Sequence, residues 1–373
     1  MDNEGRVLAD LPMHNKRYYG HDSVAMTRRV LHTLLTSKCK ELSIPIHYSA
    51  KLLRLQQGVD SVTAEFKNFG TVTGHVLIGA DGIHSATRGA VVESQDVVAK
   101  DRRYYGFGML APLHYLSDEE RDRLRLTETA MNLLRGPVGF VGFIGIGTPD
   151  QSGESKFMMW SHIAAAHVDS SFNSRDLSQV KNVLHRLRGD WCQPVAKMLD
   201  LIDQARPDIE VGCMPIISIY PIPTWSNRRV VLIGDAAHGY GPGAQGAALA
   251  MEDAMLLTQM LKRLDSASTE ALSRCFSDFE TKRRLRVERI GNAAEARNDG
   301  RLEPKGFIPA TIEKYGMMLI GWWYKNGFHN PENTYHVEND LSPPMKTISV
   351  VRVWIWVLVF SILVFSGNAL FSS

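Results

Sequence analysis

The sequence predicts an α/β fold with a β-rich segment between two strands of its main sheet. Residues 230–233 form a continuous apolar run, and residues 71–78 form a second strand. A strand that is apolar at every position is typical of a sheet covered on both faces. Between these strands, residues 104–115, 137–147 and 156–162 are rich in aromatic and β-branched residues with interspersed glycines, which predicts a β-rich segment.

Periodicity predicts the remaining elements. An amphipathic helix is expected over residues 23–42, where Ser23 or Thr27 could provide the N-cap. We expect further helices at 117–130, 176–204, 244–263 and 268–297, and short strands at 44–47, 52–55, 62–66 and 216–220.

Composition narrows the function classes. The 373 residues are 44% hydrophobic and 22% charged, which is globular rather than disordered composition. The net charge of +2 gives no electrostatic case for nucleic acid binding. The basic run at 282–286 is interpreted as a solvated helix face. No Cys-x-x-Cys pair occurs among the four cysteines, so we expect no zinc or iron–sulfur site and predict no metal.

The strand at 230–233 ends in Gly234 and Asp235. It therefore delivers a carboxylate to the carboxyl end of the sheet, where ligands bind in α/β folds. Asp235 can accept hydrogen bonds from sugar-like hydroxyls. Small residues at 243–248 let a ligand approach the backbone closely, and the start of the next helix favours an electron-rich or anionic group. Alone, a Gly-Asp pair would more simply be a turn.

A second turn follows the strand at 71–78. Its string, Gly-Ala-Asp-Gly-Ile-His-Ser-Ala-Thr-Arg at 79–88, contains the turn dipeptide Asp81-Gly82. The complete strings are more specific than either dipeptide. Residues 234–254 (Gly-Asp-Ala-Ala-His, Pro, Gln-Gly-Ala-Ala, Glu-Asp-Ala) resemble the "GD" motif of class A FAD-dependent monooxygenases, an aromatic-hydroxylase-like family, and residues 79–88 resemble its "DG" motif.

The resemblance implies a set of FAD contacts. In the family the motif aspartate holds the ribitol chain of FAD, and the following helix start lies near the pyrophosphate. Arg28 takes the position of a family arginine that contacts FAD. The neighbouring Arg29 is the alternative for this position. The family usually has one more residue between the motif histidine and Glu-Asp-Ala. The small residue that contacts the flavin is therefore either Ala247 or Ala248. The implied cofactor residues are Arg28, Asp81, Gly82, Gly234, Asp235, Gly246, Ala247 and Ala248.

The family opens with a strand, a GxGxxG turn and a helix, which this sequence lacks. The resemblance covers residues 15–300 and implies an FAD-binding doubly wound (glutathione-reductase-like) domain. We expect a partial FAD-binding domain at 1–98, lacking its N-terminal βαβ unit, and a β-rich substrate domain at 99–222. The FAD-binding domain resumes at 223–300, and a C-terminal region and linker follow at 301–346.

The implied activity is that of an FAD-dependent monooxygenase using NAD(P)H and O2. It would hydroxylate or epoxidise an apolar small molecule, in secondary-metabolite biosynthesis. No catalytic residue is shared across the family, so none is assigned. The alternative is a truncated, inactive membrane-associated remnant or interaction protein without FAD.

The β-rich middle segment contains large apolar residues that suit either a substrate pocket or an ordinary sheet core: Phe107, Met109, Leu110, Phe140, Phe143, Met158, Met159 and Trp160.

A C-terminal transmembrane helix is predicted at 347–371. Residues 353–371 carry no charge, and as a helix they would span about 28 Å, close to the ~30 Å hydrocarbon core. Trp354 and Trp356 lie at its start, and Lys346 and Arg352 precede it. The positive-inside rule then places a single-pass anchor with the catalytic part in the cytosol. A buried helix or packing strand is the alternative.

Overall fold

A computed structural model describes residues 1–10, 24–92, 99–127, 130–136, 138–146, 155–219, 221–241, 243, 245–302, 315–322, 337–340 and 357–358. Its named helices are α1 (Arg28–Glu41), α2 (Ala86–Val92), α3 (Asp118–Arg123), α4 (Leu177–Arg188), α5 (Gln193–Asp203), α6 (Asp235–His238), α7 (Gly246–Leu261) and α8 (Thr269–Leu302). Its strands are β1 (Leu52–Gln57), β2 (Val62–Phe66), β3 (Gly70–Gly74), β4 (Leu77–Gly79), β5 (Ala99–Pro112), β6 (Met131–Arg135), β7 (Phe140–Ile146), β8 (Lys156–Ala164), β9 (Glu210–Ile219), β10 (Ser226–Asn227), β11 (Val230–Leu232) and β12 (Val357–Leu358).

The described strands form three sheets. β1, β2 and β3 make an antiparallel sheet, and a second sheet has the order β10-β11-β4-β12. In the second sheet β4 runs parallel to β11, with Gly79 opposite Leu232. Both strands are fully buried, as their uninterrupted apolar sequence predicts. They pack with α7 and α8 in one hydrophobic core, whose apolar members include Leu256, Leu257 and Phe276.

The third sheet, of order β6-β7-β8-β5-β9, is antiparallel. It has a separate core, which brings together apolar side chains from α4, α5 and the sheet. Alternation along the strands divides the predicted apolar set. Phe107, Met109, Phe143 and Met159 belong to this core. Their strand neighbours Leu110, Phe140, Met158 and Trp160 do not, and Met158 is 38% exposed.

Several elements differ from the expectation. Residues 44–47 form no strand, the predicted strand at 71–78 is interrupted between β3 and β4, and the predicted helix at 176–204 is two helices. The predicted helix at 117–130 is confined to α3, and β6 follows it. The capping box of Ser117 and Glu120 fixes the start of α3, and the left-handed Arg125 (φ 47°) follows its end.

The structure does not support the predicted membrane anchor. Across the described ranges, none of the helices combines the length and apolar character needed to cross a bilayer. Most of residues 347–371 lies outside those ranges. The part that is described, β12, is a two-residue strand that pairs in parallel with β4, with Val357 opposite Ile78.

Candidate functional site

Two turns meet at one edge of the sheet. β4 runs into Asp81, and β11 runs into Asp235. Because the two strands are parallel neighbours, the turns lie side by side, and the Ile233 N–H donates to the Gly79 carbonyl at 3.0 Å. Both turns therefore lie at the carboxyl ends of adjacent parallel strands, where ligands bind in α/β folds.

Arg88 joins the two turns. Its side chain is buried, and its guanidinium donates to two carbonyls of each turn: Ala236 at 2.8 Å and Asp235 at 3.1 Å, and Ile83 at 2.9 Å and Gly82 at 3.2 Å. Burial lowers the pKa of Arg88, and the charges of Asp81 and Asp235 oppose that shift. Arg88 ends the motif string at 79–88, and nothing in that pattern assigns it a role.

Asp81 holds the first turn through its carboxylate. Oδ1 accepts from the Ser85 hydroxyl at 2.5 Å, and Oδ2 accepts from the N–H and hydroxyl of Thr87 at 2.9 and 3.0 Å. These bonds tie the start of α2, and Gly82 takes a left-handed φ of 77° beside them. Since the carboxylate is engaged within the chain, a direct contact of Asp81 with a cofactor stays a prediction.

Asp235 has a different environment. It is half-buried, and no described residue donates a hydrogen bond to its carboxylate. Burial raises the pKa of Asp235, while the charges of His238, Arg28 and Arg88 lower it. A half-buried carboxylate without donors has acceptor capacity to offer to hydroxyl groups of a ligand.

The other predicted residues surround this carboxylate. A Cβ added at Gly246 would lie 3.8 Å from Asp235 Oδ1, so the start of α7 is adjacent. Gly246, Ala247 and Ala248 are exposed, and the side chain of the N-cap residue Gln245 makes no cap hydrogen bond to this 16-residue helix. Arg28 is the first residue of α1 and is also exposed. Its charge lowers the pKa of Asp235, so the start of α1 lies near the sheet edge where the two turns meet.

The donor set fits the central part of FAD. The Asp235 carboxylate suits hydroxyls of a ribitol chain. The guanidinium of Arg28 and the N–H groups at the start of α7 suit a pyrophosphate. The GxGxxG string at residues 241–246 lies within the "GD" motif and not in the opening βαβ unit of the family, so the fit concerns the part of FAD that the "GD" and "DG" motifs contact in the family.

The basic run at 282–286 is not a solvated face throughout, because Lys282 is exposed but two of its arginines are buried. Arg283 is fully buried, and its Nε donates to Asp253 Oδ1 at 2.8 Å. Arg286 is 8% exposed and pairs with Glu252 at 2.9 Å. Partners on α7 compensate the burial of these charges. His238 is buried beside Asp253, with its Nε2 2.6 Å from Asp253 Oδ2.

Comparison with known proteins identifies relatives. No family model matches the chain. A 6-hydroxynicotinate 3-monooxygenase from Bordetella bronchiseptica is 24% identical over 307 residues, which cover 77% of this chain and 70% of that protein. The FAD-dependent monooxygenase cctM of Talaromyces islandicus is 27% identical over 265 residues, 69% of this chain and 62% of that protein.

Solved structures share the fold. Klebsiella pneumoniae HpxO, complexed with FAD and uric acid, superposes with a TM-score of 0.61 at 21% identity and covers 80% of this chain and 66% of that one. The 2,6-dihydroxypyridine-3-hydroxylase from Arthrobacter nicotinovorans gives 0.57 at 16% identity, with coverages of 72% and 68%. Both motif turns and their position at adjacent strand ends agree with these relatives: the homologues of this chain are FAD-dependent monooxygenases.

Proposed function

We propose that this chain binds FAD at the edge formed by the two turns and uses NAD(P)H and O2 to hydroxylate or epoxidise an apolar small molecule of secondary metabolism. The observation that carries the proposal is the half-buried Asp235 carboxylate, which faces the open start of α7 and feels the charge of Arg28. In this assignment FAD supplies the oxygen-transfer chemistry. Residues 1–98 and 223–300 form the FAD-binding unit, and residues 99–222 form the substrate unit.

The residues of the chain bind and orient the cofactor. Asp235 accepts hydrogen bonds from the ribitol hydroxyls, while Arg28 and the N–H groups of Ala247 and Ala248 hold the pyrophosphate. The glycines at 82, 234 and 246 let the cofactor approach the backbone, since none has a Cβ to block it. Asp81 keeps its turn in place. No side chain is assigned to proton transfer.

The second face of the five-stranded sheet is the proposed substrate surface. Met158 and Trp160 lie there, and a Cβ at Gly142 would stand 2.3 Å from the Trp160 ring, so only glycine lets the indole lie along β7. Partly exposed apolar and aromatic side chains suit a flat, apolar ring system. The relatives named for hispidin, urate and hydroxynicotinate act on small ring compounds, and those named cctM and ausM are fungal.

The test is flavin binding by the full chain. We expect a purified sample to take up FAD with a shift and fine structure in its visible flavin absorbance, and to oxidise NADPH or NADH when O2 is present. A chain that takes up no FAD over a wide concentration range would overturn the proposal and favour the inactive remnant or interaction protein.

We also propose membrane attachment through residues 347–371, with the site on the cytosolic side. Its support is the uncharged run at 353–371, whereas the pairing of β12 with β4 opposes it. We expect the full chain to stay with membranes after carbonate washing and a chain ending at residue 346 to be released. Release of the full chain would show that this segment packs onto the sheet instead.

A further inference from the structure

A buried cluster behind the second turn is not part of the cofactor contacts described above. It consists of His238, Asp253, Arg283 and Glu252. Asp253 and Arg283 are fully buried, and His238 is 7% exposed. Charged groups are rarely buried without a specific arrangement around them, because each loses its hydration.

The Asp253 carboxylate contacts both ends of α6, the short helix that Asp235 begins. Its Oδ2 accepts from the Gly234 N–H at 2.9 Å and lies 2.6 Å from His238 Nε2. Gly234 precedes α6 and His238 ends it. A four-residue helix has too few internal hydrogen bonds to hold its own conformation, so its geometry depends on such outside contacts.

Gly234 also needs to be held. Its φ of 58° and ψ of −145° lie in a region that residues with a side chain rarely adopt. The orientation of the Asp235 carboxylate follows from this conformation, because Asp235 is the next residue along the chain. A bond to the Gly234 N–H therefore acts one residue away from the cofactor-binding carboxylate.

Arg283 holds the other oxygen of Asp253. Its Nε donates to Oδ1 at 2.8 Å, and its guanidinium also pairs with Glu252 at 2.8 Å. Burial alone would raise the pKa of Asp253, but the charges of His238 and Arg283 and the hydrogen bonds from His238 and Gly234 outweigh burial and lower it. Asp253 is thus ionised at neutral pH and acts as an acceptor for all three partners.

We propose that Asp253 and Arg283 are positioning residues, which fix Gly234 and α6 and thereby aim the Asp235 carboxylate at the cofactor. The effect on FAD binding rests on the proposed function. The fixing of Gly234 and α6 rests on the contacts alone. Arg283 acts through Asp253, and Asp253 acts through Gly234. Neither side chain touches the cofactor.

The first experiment measures FAD affinity in a double-mutant cycle. Asp253→Asn keeps the size of the side chain and removes its charge, and we expect it to raise the FAD dissociation constant about 10-fold. In the Asp235→Ala background the same change should add less than about 2-fold, because the carboxylate that Asp253 positions is gone. An equal increase in both backgrounds would show general destabilisation and overturn the inference.

The matched control is Arg286→Met, which removes a neighbouring buried arginine that pairs with Glu252 rather than Asp253. It should leave FAD affinity within about 2-fold of wild type, while Arg283→Met should resemble Asp253→Asn and Arg283→Lys should restore part of the affinity. A loss of affinity in Arg286→Met as large as in Arg283→Met would also overturn the inference.

The second experiment needs no cofactor. In chain labelled with ¹⁵N-glycine, the Gly234 amide proton should shift in Asp253→Asn and Arg283→Met and stay in place in Arg286→Met. If the wild-type chain binds no FAD, the proposed function fails while this signal still decides the positioning. An unshifted Gly234 amide in Asp253→Asn would overturn it.

Discussion

Asp235→Ala should weaken FAD binding by about 10- to 150-fold, because a hydrogen bond to a charged acceptor contributes roughly 1.5–3 kcal/mol. The measurement is a fluorescence titration of FAD into the full chain. Asp265→Ala is the control, since Asp265 is an exposed carboxylate just beyond α7. Unchanged FAD affinity in Asp235→Ala would remove Asp235 from the site.

In the chain without FAD, Asp235→Ala should not lower the folding stability, in contrast to its effect on FAD affinity. Burial raises the pKa of Asp235, so the folded state holds this proton more tightly than the unfolded state. For an acid with a raised pKa, folding stability is lost as pH rises from the unfolded pKa to the folded one, and the loss is complete above both. At neutral pH Asp235→Ala should therefore melt no lower than wild type, and higher if the carboxylate remains unpaired.

The loss of FAD affinity and the unchanged or raised melting temperature distinguish a role in binding from a role in folding. A residue kept for packing would lose stability and affinity together when replaced. A carboxylate kept for a ligand costs stability until the ligand provides donors, as expected where function requires a desolvated charge. A large drop in melting temperature of the FAD-free Asp235→Ala chain would mark the residue as structural.

The sequence predicted the parts of the site that depend on local pattern. The apolar runs of β4 and β11 and the turn residues after them were sufficient to place Asp81 and Asp235 at one edge, because neighbouring parallel strands end on the same side. The helix beginning at Gly246 could also be predicted, since its spacing is helical and small residues precede it. Thr27 was one of two predicted caps, and its hydroxyl accepts from Val30 N.

The sequence could not show which charges are buried. Arg283 lies within a basic run that is typical of a solvated helix, and only the packing of α8 on α7 brings it to Asp253, 30 residues earlier. The carboxylate of Asp81 could equally face a ligand or cap a helix, and the contacts to Ser85 and Thr87 distinguish these only once the turn is folded. Both cases depend on tertiary contacts that have no period in the sequence.

Arg88→Met should give the largest loss of stability. Methionine fills a similar volume but leaves the carbonyls of Gly82, Ile83, Asp235 and Ala236 without this donor, two in each turn. The Gly82 carbonyl keeps the Ser85 N–H as a donor at 3.0 Å. For the other three carbonyls, a buried acceptor left unpaired costs about 1–3 kcal/mol, so a loss of roughly 3 kcal/mol or more is expected. For a chain of 373 residues, whose unfolding entropy is about 0.8 kcal/mol/K, that lowers the melting temperature by about 4 °C or more.

Two companion variants make that result specific. Arg54→Met removes an arginine with a 71% exposed side chain, whose ion pair with Glu65 is 3.8 Å long, and it should change stability by less than about 0.5 kcal/mol. Arg88→Lys keeps the charge with fewer donors in a different geometry, so it should fall between Arg88→Met and wild type. Thermal melting of the three variants without FAD measures the effect. An Arg88→Met chain that melts with wild type would show that the two turns hold together without the guanidinium.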